Sequence, residues 1–276
     1  MRPIGGYGKR FLPATKPMPK EMMPIVNKPL IEYGVDEAIQ AGMTSMAVFT
    51  GRGKSSLMDH IDKNYELEHQ IQGTSKEPLL DDIRTLIDAA QFTYIRQREM
   101  KGLGHAILTG KELVGDNPFA VVLADNLCIN NDKGVLAQMA ALYRQFRCSI
   151  VAAEEVPESE THKYGVIAGE HLSNDLIRIT DMVEKPEQGT APSNLAIIGR
   201  YILTPDIFDI LEETQPGKGG EIQITDALLE QAKTGCVIAY KFKGKRFDCG
   251  SVAGYIEATN YCYQNVYLKG SKAKID

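Results

Sequence analysis

Six of the first thirty residues are cationic (Arg2, Lys9, Arg10, Lys16, Lys20 and Lys28), against the single acid Glu21, in a chain of net charge -5. They are threaded through Gly5-Gly6-Tyr7-Gly8 and through Pro13, Pro17, Pro19, Pro24 and Pro29. Glycines let backbone N–H groups approach a ligand, prolines hold an extended path, and fixed cations meet the anion between them. A phosphate chain is the simplest anion for such a cradle. Two common phosphate spacings fail: the last glycine of G-x-G-x-x-G falls on Phe11, and the first glycine of a P-loop ending at Gly53-Lys54-Ser55 falls on Val48. Gly53-Lys54-Ser55 therefore reads as a helix start that can still touch an anion.

Three further segments carry chemistry. Asp125 stands where the apolar run Phe119-Ala-Val-Val-Leu-Ala124 ends, and in open α/β sheets ligands bind outside the carboxyl ends of the strands. Four cations lead into Asp248 and Gly250 in the segment from Lys241. A carboxylate among cations is suited to be a second ligand for Mg2+, which prefers carboxylate and phosphate oxygens. In Val183-Glu184-Lys185-Pro186 an acid able to accept from sugar hydroxyls adjoins an ammonium able to hold a phosphate.

The elements that must position these groups are legible from periodicity. Strands are expected at 45–50, 92–96, 119–124 and 149–154, alternating with helices over 30–41, 55–63, 79–90, 105–114 and 134–146, the rhythm of a parallel α/β sheet. The unbroken apolar character of 119–124 marks a central, parallel, doubly buried strand. Beyond residue 155 the strands shorten (164–168, 177–183, 195–203), followed by helices over 205–213 and 224–233, a strand over 237–242 and a terminal helix over 252–267. With 276 residues and 43% hydrophobic content this is one globular unit. About 1–155 carries the alternating strands and helices, 156–235 a smaller α+β insertion covering one edge of the sheet, and 236–276 a closing strand and C-terminal helix.

The acidic balance argues against a nucleic-acid partner. Five widely spaced cysteines without a C-x-x-C pair read as reduced thiols in a cytoplasmic protein. No apolar run reaches membrane-span length, and Met1-Arg2-Pro3 begins no signal peptide.

Taken in order, Arg10-Phe-Leu-Pro-Ala-Thr-Lys16, Pro19-Lys-Glu-Met22, Gly102-Leu-Gly-His-Ala106, Val183-Glu-Lys-Pro186, Ala191-Pro-Ser-Asn-Leu-Ala196, Gly220-Glu-Ile-Gln223 and Asp248-Cys-Gly250 resemble the sugar-nucleotidyltransferases nearly end to end. Within them the likeness is to the bacterial enzymes that join UTP and glucose 1-phosphate. The resemblance implies a Rossmann-like α/β/α sandwich with a mixed, mostly parallel sheet. It also implies Mg2+-dependent formation of UDP-glucose and pyrophosphate, and a homo-oligomer, dimer or tetramer, with the tyrosine-rich last helix as candidate contact.

By the same resemblance Gly5, Gly6 and Gly8 lie under the nucleotide, and Arg10 and Lys20 hold the triphosphate. Glu21, Gln97 and Gly102 meet the nucleoside, and Asp125 and Asp248 bind Mg2+. Gly165, Glu184 and Asn194 surround the glucose, and Lys185 grips its phosphate. Glu221 and Asp226 are expected in structural roles such as helix capping near Ile224. Where the family's loop reads roughly A-G-x-G-T-R after a full apolar strand, this chain has Gly5, Lys9 and only Met1-Arg2-Pro3-Ile4 ahead of the glycines, so a short first strand and weakly paired neighbours are expected. The rivals are the same chemistry with dTTP, and a weakly catalytic paralogue that binds nucleotide sugar to regulate another enzyme.

Overall fold

A computed structural model describes residues 2–3, 8–130 and 132–269. The strands are β1 (Arg2–Pro3), β2 (Pro24–Ile25), β3 (Lys28–Pro29), β4 (Ser45–Thr50), β5 (Gln91–Arg96), β6 (Phe119–Val122), β7 (Asn126–Ile129), β8 (Ser149–Glu155), β9 (Gly165–His171), β10 (Leu176–Glu184), β11 (Leu195–Leu203), β12 (Val237–Lys241) and β13 (Lys245–Asp248). The α-helices are α1 (Leu30–Gln40), α2 (Ser55–Ile61), α3 (Tyr65–Ile71), α4 (Asp81–Ala89), α5 (Gly102–Leu108), α6 (Lys111–Val114), α7 (Val135–Phe146), α8 (Ile207–Glu213), α9 (Ile224–Thr234) and α10 (Val252–Cys262). Among the described residues no helix is long and apolar enough to cross a membrane.

The fold is mixed α/β. One ladder runs β1-β4-β5, all parallel. The other runs β6-β11-β8-β12-β10-β9, in which only β8 and β12 are parallel. β1 pairs with β4 and lies beside β6; β6 is the end strand of its own ladder, with Val121 and Val122 buried and Phe119 and Ala120 half-buried, which corrects the expected central, doubly buried strand.

The expected mostly parallel sheet is corrected by these pairings. β6, β8 and β9 all run antiparallel to β11, every residue of which is buried. An unbroken apolar run reports burial on both faces, and here helices and turns cover both faces of antiparallel strands as well. Chain direction leaves no mark on the side-chain pattern.

Several boundaries also move. The strand expected to reach 124 ends at Val122, because Asn126 donates to the Leu123 carbonyl at 3.3 Å and turns the chain at once. The helix over 105–114 is two, α5 starting at Gly102 and α6 at Lys111, and the last α-helix gives way after Cys262 to a π-helical turn over Tyr263–Tyr267. α3, opened by Asn64 Oδ1 accepting from Leu67 N–H at 3.1 Å, was not foreseen. Nor was the antiparallel pair β7–β13, whose four-residue strands are too short for periodicity to register.

Among the described residues, β1 partners Val48 and Phe49 of β4. An apolar cavity of about 410 Å³ is lined by Val35, Ala38, Met46, Val48, Phe119 and Val122, among others.

Candidate active site

The turn after β6 carries Asp125. Its Oδ2 accepts from Lys20 Nζ at 2.5 Å, its Oδ1 from Asn126 Nδ2 at 3.3 Å, and its carbonyl from Cys249 N–H at 2.8 Å. Burial alone would raise the Asp125 pKa, but the Lys20 ammonium and the Asn126 amide hold it below the usual carboxylate value. Lys20 is displaced upward in turn: burial opposes its charge, and Asp125 with the nearby Glu21 and Asp248 outweighs that. The pair is fully ionised at neutral pH.

Asp248 closes β13, paired in register with Asn126 of β7. A Cβ placed on Gly250 would lie 2.9 Å from Asp248 Oδ1 and 3.3 Å from Asp125 Oδ2, so both carboxylates approach one point. The Gly250 N–H donates to Asp248 Oδ1 at 3.0 Å, and Arg10 Nη1 donates to the Gly250 carbonyl at 3.3 Å. Among the described residues no three His, Cys, Asp or Glu side chains gather as a metal cage. Two carboxylates approaching one point nevertheless fit Mg2+, which takes one or two carboxylates and completes its shell with water and phosphate oxygens.

On the other side of Lys20 a cavity of about 330 Å³ is lined by Lys20, Glu21, Gln97, Gly102, Asp125 and Glu221, among others. Gln97 follows β5; its N–H donates to the Thr50 carbonyl at 3.0 Å, and its amide Nε2 lies 3.2 Å from His105 Nδ1. Gly102 has φ +91°, and an added Cβ would stand 2.8 Å from both the Glu221 Cβ and the Ile222 carbonyl oxygen. Only glycine fits there. Glu21 is 1% exposed, and both its oxygens lie 3.3 Å from Lys54 Nζ. Burial lowers the Lys54 pKa, and Glu21 only partly offsets this.

The sugar-side residues form a second cluster. Gly165 and Glu184 face each other across β9 and β10. Glu184 Oε1 is 2.9 Å from Lys185 Nζ, and its Oε2 accepts from Thr225 Oγ1 at 3.3 Å. Lys185 adopts φ 44° while its N–H donates to the Tyr164 carbonyl at 2.9 Å, so the backbone is bent to put this cation beside the acid. Asn194 is exposed, and its carbonyl accepts from Val156 N–H at 3.0 Å. Arg246 joins the two clusters, donating to Asn126 Oδ1 at 3.1 Å and Tyr164 OH at 3.3 Å and pairing with Glu154.

The structure thus brings together Lys20, Glu21, Gln97, Gly102 and Asp125 in one cavity wall, Arg10 and Asp248 at its Gly250 edge, and Gly165, Glu184 and Lys185 alongside. Gly8, at φ +61°, takes no part in the cavity wall and turns the loop through bonds from Phe11 N–H and Thr15 Oγ1 to its carbonyl, at 2.9 and 2.7 Å. Gly5 and Gly6 lie outside the described residues. The capping role expected near Ile224 is corrected: Gln223 holds the cap position of α9, Asp226 sits in its first turn, and Glu221 lines the cavity. Burial and the nearby Glu184 raise the Asp226 pKa.

Sequence reasoning left Lys54 as a helix-start residue able to touch an anion, and gave His105 and Arg246 no role of their own in this site. For Lys54 a signal was present: it follows the carboxyl end of β4, where ligands bind in such sheets. As foreseen, Ser55 opens α2, and the anion that Lys54 touches is the protein's own Glu21.

The family model described as nucleotidyl transferase matches residues 4–265. A UTP–glucose-1-phosphate uridylyltransferase of Pseudomonas aeruginosa is 68% identical over 269 residues, 97% of this chain and 96% of that protein. A crystal structure of UDP-glucose pyrophosphorylase complexed with UDP-glucose superposes with a TM-score of 0.89 at 60% identity, covering 95% of this chain and 97% of that one. A UTP-bound pyrophosphorylase of this kind from Acinetobacter baumannii also reaches 0.89, at 36% identity over 99% of this chain and 96% of its own. The cavity and paired carboxylates described above therefore lie in a chain that belongs to the nucleotidyl transferase family of enzymes, grouped with the bacterial UTP–glucose-1-phosphate uridylyltransferases.

Proposed function

We propose that this enzyme transfers the uridylyl group of UTP to α-D-glucose 1-phosphate, giving UDP-glucose and pyrophosphate. A phosphate oxygen of the sugar attacks the α-phosphorus of UTP in line, the bond from that phosphorus to the bridging oxygen breaks, and pyrophosphate leaves. No protein nucleophile is required, so the work is positioning and charge neutralisation. The observation that carries this reading is the Lys20–Asp125 pair at the wall of a cavity that also holds Gln97 and Gly102, with Asp248 converging on Asp125 at Gly250.

In this reading Arg10 and Lys20 hold the triphosphate and the departing pyrophosphate, with Gly5, Gly6 and Gly8 in the loop beneath the nucleotide. Gln97 presents a paired donor and acceptor to the uracil edge, flanked by Glu21 and Gly102. Gly165, Glu184 and Asn194 receive the glucose hydroxyls, and Lys185 its phosphate. Asp125 and Asp248 would hold Mg2+, which lowers the repulsion between the two phosphate groups.

The frame for these roles is a Rossmann-like α/β/α sandwich, with nucleotide contacts mainly from residues 1–155 and sugar contacts mainly from 156–235. The enzyme works in the cytoplasm as a homo-oligomer, with the exposed Val252, Ile256, Tyr263 and Val266 of the last helical segment as contact surface. Pyrophosphate release with Mg2+ tests the reading, comparing UTP with dTTP and glucose 1-phosphate with galactose 1-phosphate. Release fastest with UTP and glucose 1-phosphate is expected. A folded protein that binds UDP-glucose yet releases no pyrophosphate with any pair would overturn it.

A further inference from the structure

Arg200 lies in the middle of β11, is 1% exposed, and sits in a strand whose other side chains form the apolar core. β11 is irregular at this point. Ile197 is opposite Ala153 of β8 and Tyr201 opposite Val151, so Ile198, Gly199 and Arg200 together face Ala152. Such a bulge re-aims side chains and is common beside functional sites.

The guanidinium spends all five of its N–H donors. Nε and Nη2 donate to Glu37 Oε2 of α1 at 2.9 and 2.8 Å, Nη1 to the Gly199 and Leu123 carbonyls at 3.0 and 3.4 Å, and Nη2 also to the Asn126 carbonyl at 2.9 Å. Glu37 is itself held, its Oε1 accepting from the Leu136 N–H of α7 at 2.9 Å. Leu123 and Asn126 are the two ends of the turn that carries Asp125, and Asn126 is the β7 partner of Asp248. Gly199 completes the support, because a Cβ there would stand 2.6 Å from the Leu123 Cβ and 3.0 Å from Asn126 Nδ2. The turn rests directly on the bulge.

We propose that Arg200, anchored by Glu37, is a positioning residue for the carboxylate pair: it grips both ends of the 123–126 turn, so that Asp125 and Asp248 converge on one divalent cation. An ordinary structural ion pair would tie helix to strand. This one, besides tying α1 to β11, directs three of its five donors to carbonyls, two of them bracketing Asp125. Buried polar groups behind metal ligands set their orientation, and losing them typically weakens metal binding roughly 10–100-fold.

The inference rests on the proposed cation site, and the test separates the two. Mn2+ binding is measured by electron paramagnetic resonance in the presence of UDP-glucose, and UDP-glucose binding by calorimetry in EDTA. The proteins are the parent, Asp125→Asn, Arg200→Lys, and the double variant Glu37→Leu/Arg200→Met, which removes both buried charges so that neither is left unpaired. The expected result is a folded double variant with Mn2+ affinity down roughly 10–100-fold and UDP-glucose affinity in EDTA unchanged. Its half-saturating Mg2+ concentration rises while KM for UTP stays put. A folded double variant that binds Mn2+ like the parent overturns the inference, as does parallel loss of Mn2+ and UDP-glucose binding. If the double variant does not fold, Arg200→Lys, which keeps the charge but not the fork, carries the same comparison with a smaller loss. Should Asp125→Asn bind Mn2+ as tightly as the parent, the cation site itself is misplaced and the inference falls with it.

Discussion

Asp125→Asn removes one charge from a site whose shape it leaves almost unchanged. Lys20 Nζ stands 2.5 Å from Asp125 Oδ2, and the two side chains are 14% and 29% exposed. Two unit charges at 4 Å attract by about 4 kcal/mol at an effective dielectric of 20, before the cost of desolvating them. A charged hydrogen bond nets about 1.5–3 kcal/mol, and the partial exposure of Asp125 keeps the expected loss in that range.

At about 2–4 °C per kcal/mol, the melting temperature at pH 7 should fall by roughly 3–12 °C. The sign with pH is fixed. The folded Asp125 pKa is depressed, so its contribution is complete above the unfolded value and disappears as pH falls through the folded one. The gap between parent and variant should therefore begin to narrow as pH falls below the unfolded carboxylate value. Turnover should fall far more than stability does, by about 10²–10³ or beyond, the loss typical of removing one group that stabilises transition-state charge. Thermal melts at pH 7 and 3, with pyrophosphate release at saturating Mg2+, measure both. Near-full Mg2+-dependent turnover would remove Asp125 from the chemistry, and a stability gap independent of pH would refute the ion-pair account.

Glu184→Ala should raise KM for glucose 1-phosphate much more than KM for UTP, since Glu184 pairs with Lys185 and Thr225 away from the cavity that holds Gln97; equal effects on both would refute its sugar role. Gly102→Ala must relieve a 2.8 Å contact with the Ile222 carbonyl at φ +91°, so it should cost about 1–3 kcal/mol in denaturant unfolding and raise KM for UTP; unfolding like the parent's would refute that packing. The thiols of Cys128, Cys148 and Cys249 are pushed up to about 12, and Cys262 to about 11, by burial. Iodoacetamide at pH 8 should leave them unmodified in native protein and label them in urea, by mass spectrometry; rapid native labelling would contradict their burial.

Local pattern carried far in this chain. The strands over 45–50 and 195–203 stand as expected, and the 3.6-residue stripe through Leu30, Val35 and Ala38 forms α1, ending just before Gly42. Each is a repeat of burial along a few turns of chain, so it is written in consecutive residues. Asp125 and Asp248 were also legible, because an acid after an apolar strand or among cations is a local anomaly. The helix break at Thr109 and Gly110 was not, since the apolar period continues across it.

The sequence by itself determined the apolar stripes of the core, most of the longer helices and strands, and the place of Asp125 after an apolar strand. Those follow from side-chain chemistry repeated at short range. Only the tertiary structure decided strand direction, the convergence of Asp125 and Asp248 at Gly250, and the pairings Lys54–Glu21, Lys20–Asp125 and Arg200–Glu37, which span 33, 105 and 163 residues. A cation in the sequence is compatible with any carboxylate. Packing excludes water from a few sites, and a charge buried there must meet whichever partner the fold delivers.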